Sequence, residues 1–219
     1  MKSLILIPCY NTHIYIDKLL IQLRLNTDCK ILVYDDGSSP ALNIDLKKYG
    51  DVFFLRNEDN MGKGYIIKKA LDFAKSNKFE YLVTIDGDMQ HDPNEIHKFI
   101  SLNKKYDFIL GSRRFSYPMP IHRRLSNRIT SFIISALTFK TIKDSQCGYR
   151  AYLLNSVNSK DLKENGFLLE SELLLWNINK SSKVKNVNIK TIYSGSKSSI
   201  NNVKDTLNFI KLIFRYVIA

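Results

Sequence analysis

Short apolar runs along the first half of the chain alternate with stretches in which apolar residues recur at helical spacing. The runs cover residues 4–7, 31–34, 52–55, 81–85 and 108–110 and are rich in β-branched residues, which favours strands. Between the first two runs, Ile16, Leu19 and Leu23 fall on one face of a helix. Strands that alternate with helices predict an α/β domain with a mostly parallel central sheet.

The run at 81–85 stops at Asp86-Gly87-Asp88, so it brings two carboxylates to the end of its predicted strand. In extended backbone, residues i and i+2 point the same way, which lets Asp86 and Asp88 share one divalent cation. A plain polar turn explains the same three residues equally well. Asp92-Pro93 is typical of a helix N-terminus, so we expect a helix directly after this loop.

Other polar loops follow the remaining predicted strands. Right-handed crossovers place the carboxyl ends of parallel strands at one edge of the sheet, where α/β sheets bind ligands. The residues expected to converge there with the two carboxylates are Tyr10, Asp36, Lys63 and Arg113. Lys63 lies between two glycines at the start of a predicted helix, a turn suited to an anion. Its glycine spacing matches neither a P-loop nor a dinucleotide-binding fingerprint.

The second half of the chain contains helical patterns that allow two interpretations each. Residues 125–137 carry an apolar stripe after the basic residues 122–124, which fits either a core-facing helix or a helix at a membrane interface. Residues 203–217 repeat the pattern with lysines and an arginine on the other face, as in a helix that packs back or contacts a membrane or partner. We therefore expect a catalytic domain at 1–200 and an appended helix at 201–219.

Two further segments of the second half carry charged residues in informative places. Glu170 and Glu172 lie in the strongly apolar segment 166–176, and a buried carboxylate is costly unless it is paired or functional. The alternative is that one of them faces solvent. Residues 184–193 alternate as an edge strand, and the polar loop that follows contains Lys197.

Composition narrows the partners and the compartment. The 219 residues include 33 Lys+Arg and 21 Asp+Glu, a net charge of +12, which implies nucleic acid, an anionic membrane surface or phosphorylated substrates as partners. The three cysteines are widely spaced with no CxxC, which argues against a disulfide framework or a zinc site and favours the cytoplasm. No stretch reaches the roughly 20 apolar residues that span a bilayer.

Taken in order, eight segments resemble the family 2 glycosyltransferases, above all the group that transfers sugars to dolichyl and other polyprenyl phosphates. The segments are IPCYN, DDGS, the NxGKG turn, TIDGDMQHDP, GSRRF, DSQCGYR, FLLESELL and IYSGSKSSIN, and the match runs from residue 4 to about 212. The resemblance implies a GT-A fold, a Rossmann-like single domain with helices on both faces of the sheet. It also implies a nucleotide-sugar donor and Mg²⁺ or Mn²⁺.

The same resemblance assigns roles to individual residues. Pro8 and Tyr10 would line the base pocket, and Asp36 would bind the base or ribose. The metal ligands would be Asp86, Asp88 and Gln90. Arg113 with Arg123 or Arg124 would hold the acceptor phosphate, and Asp144 and Arg150 would lie near the reacting centre. Lys197 would neutralise the donor diphosphate from a loop that closes over it. The chemistry of the leaving group, apart from the resemblance, adds Lys63 as a second cation there.

The resemblance also implies a location. Many members carry transmembrane helices after the catalytic domain, whereas this sequence shows only the basic helical pattern at its end. That helix would then contact the bilayer or a partner, with the enzyme peripheral at the cytoplasmic membrane face.

Two alternatives to a lipid phosphate acceptor stay open at this point. A saccharide or protein hydroxyl acceptor requires a carboxylate base, for which Asp144 and Glu170 are candidates. A nucleic-acid-binding protein would explain the charge and the twelve tyrosines. Against it, the basic residues are scattered and no RNP, KH or zinc-finger pattern occurs.

Overall fold

The computed structural model of the chain describes residues 2–115, 119–192 and 202–218, and the side chains of the last segment from residue 206 onward. Lys197 and the loop around it lie outside the described residues. The strands are β1 (Ser3–Cys9), β2 (Lys30–Asp36), β3 (Val52–Asn57), β4 (Tyr81–Thr84), β5 (Phe108–Arg113), β6 (Arg150–Leu153) and β7 (Val184–Ile189). The helices are α1 (His13–Asn26), α2 (Lys63–Ser76), α3 (His97–Ile100), α4 (Ile121–Thr138), α5 (Leu169–Asn177) and α6 (Asn202–Ile218).

The strands form one sheet in the order β3-β2-β1-β4-β6-β5-β7. β6 is antiparallel to both of its neighbours, whereas the other adjacent pairs are parallel. The prediction of a mostly parallel sheet, with β7 at its edge, is therefore confirmed. Because β6 runs the opposite way, its first residue, Arg150, pairs with Thr84 near the end of β4. The loop that leads into β6 consequently lies at the same edge as the acidic loop after β4.

Helices cover both faces of the sheet because each buried strand alternates its side chains between two cores. Leu4 and Leu6 of β1 belong to the core that is closed by α2, α5 and α6. Ile5 and Ile7 of the same strand belong to the core that is closed by α1 and α3. The helices therefore cover the two faces of the sheet and leave the edge at which the parallel strands end open to ligands.

The helix expected after the acidic loop is shorter than its sequence indicates. The side chain of Asp92 accepts a hydrogen bond from the backbone N–H of Asn94 at 3.0 Å, as in the predicted cap. A 3₁₀ turn at Pro93–Ile96 follows, and α3 adds only four residues. The cap therefore starts the turn as predicted, and the chain then heads for β5.

α4 turns its apolar stripe outward. Leu125, Ile129 and Phe132 are 59%, 49% and 74% exposed, whereas Ser131 and Thr138 on the opposite face are buried. The buried face combines Ile134, which lies in the core, with hydroxyl contacts: Ser131 Oγ accepts a hydrogen bond from the backbone N–H of Ser145 at 2.9 Å. Most of the predicted stripe is therefore exposed, although Ile133 packs against the core beside the buried Ile134.

α6 packs through a face other than its predicted stripe. Phe209 and Leu212 are buried against the core, and Leu207, Ile210, Phe214 and Val217 are exposed. The helix packs on α5, where Trp176 meets Tyr216 edge to face with ring centroids 5.2 Å apart. Among the described residues, no helix is long and apolar enough to cross a membrane.

Candidate active site

The loops after β1 and β2 are tied to each other at the carboxyl edge of the sheet. The backbone N–H of Asn11 donates to Ser38 Oγ at 2.8 Å, and the N–H of Ser39 donates to Asn11 Oδ1 at 3.0 Å. Pro8 is half-buried, and Tyr10 is 51% exposed. An aromatic ring that is open to solvent beside a fixed loop is suited to stacking against a flat ligand.

Asp36, predicted to bind a base or ribose, is buried and bonded within the protein. Its carboxylate accepts hydrogen bonds from the backbone N–H groups of Met61 and Gly62, at 2.9 and 2.8 Å, and from the side-chain amide of Asn57. Asp36 therefore holds the turn that presents Lys63. Its neighbour Asp35 is fully buried and pairs with Arg56.

Lys63, the first residue of α2, carries its ammonium group between two carboxylates. Lys63 Nζ lies 2.6 Å from Asp86 Oδ1 and 3.1 Å from Glu170 Oε1. Burial works against the charged form of Lys63, but the two carboxylates outweigh it and raise the pKa of the amine. The group is therefore a permanent cation in the wall of the site.

The two carboxylates of the acidic loop differ in their environments. Burial opposes the charge of Asp86, yet Lys63 and His91 overcome it and hold the pKa of Asp86 well below its usual range. His91 is buried, and its Nε2 lies 3.4 Å from Asp86 Oδ2. Burial, together with the charge of Asp86, raises the pKa of Asp88. Asp86 is therefore firmly ionised, and a bound cation would stabilise the charged form of Asp88 beside it.

Gly148 makes the approach of these groups possible. A Cβ atom on Gly148 would lie 2.7 Å from Lys63 Nζ and would overlap Asp86 Oδ2. A side chain at this position would force the ends of Lys63 and Asp86 to move, so glycine keeps both groups where they are. The backbone of this loop therefore forms one wall of the site.

Asp86, Asp88 and Gln90 were predicted to hold a metal ion, and the chemistry of this donor set fits a hard cation. Asp88 Oδ1 accepts from the backbone N–H of Gln90 at 3.0 Å, which fixes the loop. Within the described ranges, no group of three or more His, Cys, Asp or Glu side chains is placed to hold a metal. Mg²⁺ commonly binds one or two carboxylates and completes its shell with water and substrate phosphates. Two carboxylates at an open edge match that mode.

Arg113 and Asp144 form a closed pair beside this loop. Arg113 Nε and Nη2 donate to the two oxygens of Asp144 at 2.7 and 3.0 Å, and Asp144 is fully buried. The backbone N–H groups of Arg113 and Gln146 also donate to it. Both oxygens of the predicted base are therefore occupied.

Arg150 is fully buried and is hydrogen-bonded to the loop before β6. Its guanidinium donates to the backbone carbonyls of Cys147, Ser145 and Glu170, at 2.6, 2.7 and 2.9 Å. It thereby ties the loop before β6 to α5. Its place is behind the site, where it positions the backbone.

Arg123 and Arg124 lie in the first turn of α4. Arg124 Nε donates to the carbonyl of Met119 at 2.6 Å. In the part of the chain that the structure describes, neither arginine forms an ion pair with Asp86 or Asp88. The structure thus brings Lys63, Asp86, Asp88, Arg113 and Asp144 to one edge, with these two arginines on the adjoining helix.

Glu170 was singled out in the sequence only by its apolar surroundings. It is buried and reaches the site through Lys63, so the possibility that it faces solvent is excluded. Glu172 is also buried and is bonded by the backbone N–H groups of Lys163 and Glu164. The signal that could have found both is the cost of a buried charge, which demands a partner. Nothing in the sequence says which partner each one takes.

Comparisons with known proteins show which family the chain resembles. Residues 4–159 match the model of glycosyl transferase family 2. A UDP-N-acetylglucosamine–dolichyl-phosphate N-acetylglucosaminyltransferase of Methanococcus voltae is 27% identical, over 87% of this chain and 85% of that protein. An undecaprenyl-phosphate mannosyltransferase of Micrococcus luteus is 25% identical, over 74% of this chain and 70% of that protein.

The fold has a close parallel among solved structures. Glucosyl-3-phosphoglycerate synthase of Mycobacterium tuberculosis, in complex with Mn²⁺, UDP-glucose and phosphoglyceric acid, superposes with a TM-score of 0.73 at 14% identity. The match covers 98% of this chain and 79% of that one. At this identity the likeness establishes the GT-A fold. With the family match over most of its length, the chain belongs to glycosyl transferase family 2 and is a glycosyltransferase.

Proposed function

We propose that the protein transfers a sugar from a nucleoside-diphosphate sugar, of the GDP-mannose or UDP-hexose type, to a polyprenyl phosphate, with inversion at the anomeric carbon. The observation that carries the choice of acceptor is the state of the two candidate bases. Both oxygens of Asp144 accept hydrogen bonds from Arg113, and Glu170 is paired with Lys63. A hydroxyl acceptor needs a base, whereas a phosphate monoester, with a second pKa near 6, is already largely an anionic nucleophile at neutral pH.

On the donor side, Asp86, Asp88 and Gln90 would hold Mg²⁺ or Mn²⁺. When bound, the ion supplies charge stabilisation to the departing nucleoside diphosphate. Lys63 and Lys197 add positive charge to the same leaving group. Tyr10 offers its exposed ring to the base. The buried Asp36 fixes the turn that precedes Lys63. The relative named as a UDP-N-acetylglucosamine–dolichyl-phosphate N-acetylglucosaminyltransferase supports a nucleotide-sugar donor.

On the acceptor side, Arg113 would supply the cation for the acceptor phosphate. Its bonds to Asp144 hold the guanidinium in one orientation, so that it can direct a phosphate for in-line attack. Arg123 and Arg124 add charge from the start of α4. Direct displacement by the phosphate oxygen inverts the anomeric centre, so an α-linked donor gives a β-linked product.

The outward stripes of α4 and α6 fit a lipid acceptor. Five large apolar residues on α4 and five on α6 are substantially exposed: Ile121, Leu125, Ile129, Phe132, Phe139 at its C-cap, and Leu207, Ile210, Phe214, Val217 and Ile218. Arginines flank the stripe of α4, and the chain has a net charge of +12. Apolar faces with basic flanks bind anionic membrane surfaces. We therefore place the enzyme peripherally on the cytoplasmic face of a membrane.

A second candidate function keeps the donor and changes the acceptor to a saccharide or protein hydroxyl. The observation in its favour is Glu170, whose Oε1 is buried and lies 3.1 Å from Lys63 Nζ, as an ion pair. If Lys63 moves to the donor, Glu170 becomes available as a base. Its carboxylate sits on α5, whose N-terminal end faces the site.

The experiment that separates the two uses purified protein, Mn²⁺ or Mg²⁺, a panel of GDP- and UDP-sugars, and a short polyprenyl phosphate in detergent. We expect one donor to give a lipid-linked sugar only when metal is present, and Asp88→Ala to abolish the product. Donor hydrolysis without lipid product, with transfer to added saccharides, would instead support the hydroxyl acceptor.

A further inference from the structure

The ammonium group of Lys63 occupies the position from which a cation would be expected to approach Asp86. We infer that Lys63 is a resident counter-cation of the acidic loop, which opposes the binding of a divalent metal alone and favours its binding together with a nucleoside diphosphate. The inference rests on the proposed function, because it takes Asp86 and Asp88 as the metal-binding pair. It concerns the order and coupling of binding, which the proposed activity leaves open.

The opposing effect follows from contact and burial. Lys63 Nζ lies 2.6 Å from Asp86 Oδ1, and its side chain is only 15% exposed. A metal ion that approaches Asp86 meets a like charge at short range, where solvent screens poorly. It must also take a carboxylate oxygen that already has a charged partner. Both effects weaken the binding of the metal by itself.

The favourable effect follows from the second carboxylate. Glu170 holds Lys63 at 3.1 Å from the side of α5, so Lys63 keeps a partner when Asp86 turns to a metal. The lysine side chain is long and flexible, and the lack of a Cβ on Gly148 lets its Nζ lie close to the backbone there. A diphosphate that arrives with the metal gives the released ammonium a new anion. The nucleotide thereby converts a repulsion into an attraction.

At the start of α2, the group available to a diphosphate is the Lys63 side chain rather than a row of free backbone N–H groups. The backbone N–H of Tyr65 donates to the carbonyl of Asn165 at 3.1 Å. A Cβ on Gly64 would lie 2.8 Å from the same oxygen, which shows how closely the turn at 165–166 covers the end of the helix. With the amides of Met61, Gly62 and Tyr65 bonded to protein, the Lys63 side chain is the cation that this turn offers to a phosphate.

Mn²⁺ binding without turnover tests the inference. The free Mn²⁺ signal in electron paramagnetic resonance is titrated for the wild type and Lys63→Met, with no nucleotide and then with UDP or GDP. We expect Lys63→Met to bind Mn²⁺ alone about tenfold more tightly, because the repulsion is gone. With the diphosphate present, the same variant should bind Mn²⁺ more weakly than the wild type. By linkage, Mn²⁺ should strengthen nucleotide binding less in the variant.

Lys69→Met is the matched control. Lys69 is on the same helix, is exposed and lies over the ring of Tyr65, so the substitution removes the same charge away from the site. We expect it to leave both Mn²⁺ titrations unchanged. A shift in this control as large as that of Lys63→Met would reduce the effect to net charge and overturn the inference.

Thermal unfolding gives a second readout. Without Lys63, Asp86 and Glu170 lose their shared partner, so Lys63→Met should melt below the wild type, and Mn²⁺ alone should raise its Tm more than that of the wild type. Lys63→Gln serves if the Met variant does not fold. If a folded variant binds Mn²⁺ alone, without nucleotide, no more tightly than the wild type does, the inference is overturned and the proposed function still stands. If the wild type fails to bind Mn²⁺ even when UDP or GDP is present, both the inference and the proposed function are overturned.

Discussion

At the scale of single residues, the site depends on a glycine that allows two charged groups to approach and on a carboxylate that orients an arginine. Gly148 lets Lys63 and Asp86 meet against the backbone, and Asp144 holds Arg113 in one orientation. Neither Gly148 nor Asp144 needs to touch a substrate to matter. Substitutions at these two positions therefore test how the charged groups are placed without removing a group that binds the substrate.

Gly148→Ala should impair activity while the fold is kept. The new methyl group would press on Lys63 Nζ and Asp86, so both must move away from their present positions. A displacement of this kind typically costs about 10²-fold in kcat/KM. Gly166→Ala is the control, because a Cβ there would meet nothing within 4 Å. Equal activity of the two variants would contradict the proposed wall of the site.

Asp144→Asn should destabilise the protein. It leaves the largely buried guanidinium of Arg113 without its counter-charge, and breaking a buried ion pair from one side costs about 3–5 kcal/mol. Urea unfolding measures the change in the free energy of unfolding. Asp51→Asn, which removes an exposed pair with Lys30 at 3.8 Å, should cost less than about 1 kcal/mol. A stable Asp144→Asn enzyme whose activity is lost would favour Asp144 as a base.

At the scale of elements, the two outward helices and the reversed strand decide how the site is framed. β6 brings the loop 144–149 to the carboxyl edge, and α4 and α5 hold that loop through Ser131 and the carbonyl of Glu170. α6 in turn is fastened to α5. Arg215 pairs with the buried Glu172 and with Glu164, and it lies 5.1 Å from the ring of Trp176.

Arg215→Ala should loosen α6 without unfolding the domain. Glu172 keeps its bonds from the backbone N–H groups of Lys163 and Glu164, so we expect a loss of about 2 kcal/mol rather than the full cost of an isolated buried charge. Hydrogen exchange along α6 should accelerate, and Lys211→Ala on its exposed side should change little. Unaltered exchange in Arg215→Ala would show that this anchor is unimportant.

The apolar stripe of α4 should be required at the membrane and not for stability. The triple variant Leu125→Glu, Ile129→Glu, Phe132→Glu should lose binding to anionic vesicles in a sedimentation assay and retain its Tm, because all three residues are exposed. The same change at Ile14, Ile21 and Leu25, exposed residues of α1, is the control. Vesicle binding that persists in the α4 variant would contradict the proposed orientation.

The regular part of the fold was predictable because its signals are local. The runs around Leu4, Ile31 and Tyr81 are apolar and short, and helical patterns separate them. The direction of β6 was not, since its pairing with β4 and β5 joins residues far apart in the chain. The outward face of α4 was also undecided, because a stripe records apolar spacing and not what covers it. Its buried face mixes the hydroxyl residues Ser131 and Thr138 with Ile134, so apolar spacing alone does not identify it.

At the scale of the whole molecule, one sheet edge gathers acidic and basic residues that the sequence keeps far apart. The rule that parallel strands end together predicted the meeting of Lys63, Asp86, Asp88 and Arg113. The pairing of Arg113 with Asp144 and of Lys63 with Glu170 could not be predicted, because each depends on distances of a few ångströms between separate loops. The net charge of +12 suits a protein that works on phosphorylated lipids at an anionic surface.

The measurement that tests the central claim most directly is the NMR spectrum of the lipid product formed from an α-linked nucleotide sugar. If a polyprenyl phosphate is the acceptor, its ³¹P resonance should change from a phosphate monoester to a diester, with the sugar H-1 coupled to phosphorus and in the β configuration. A phosphate that remains a monoester while the sugar appears on a hydroxyl, or an α-linked diester, would contradict the account.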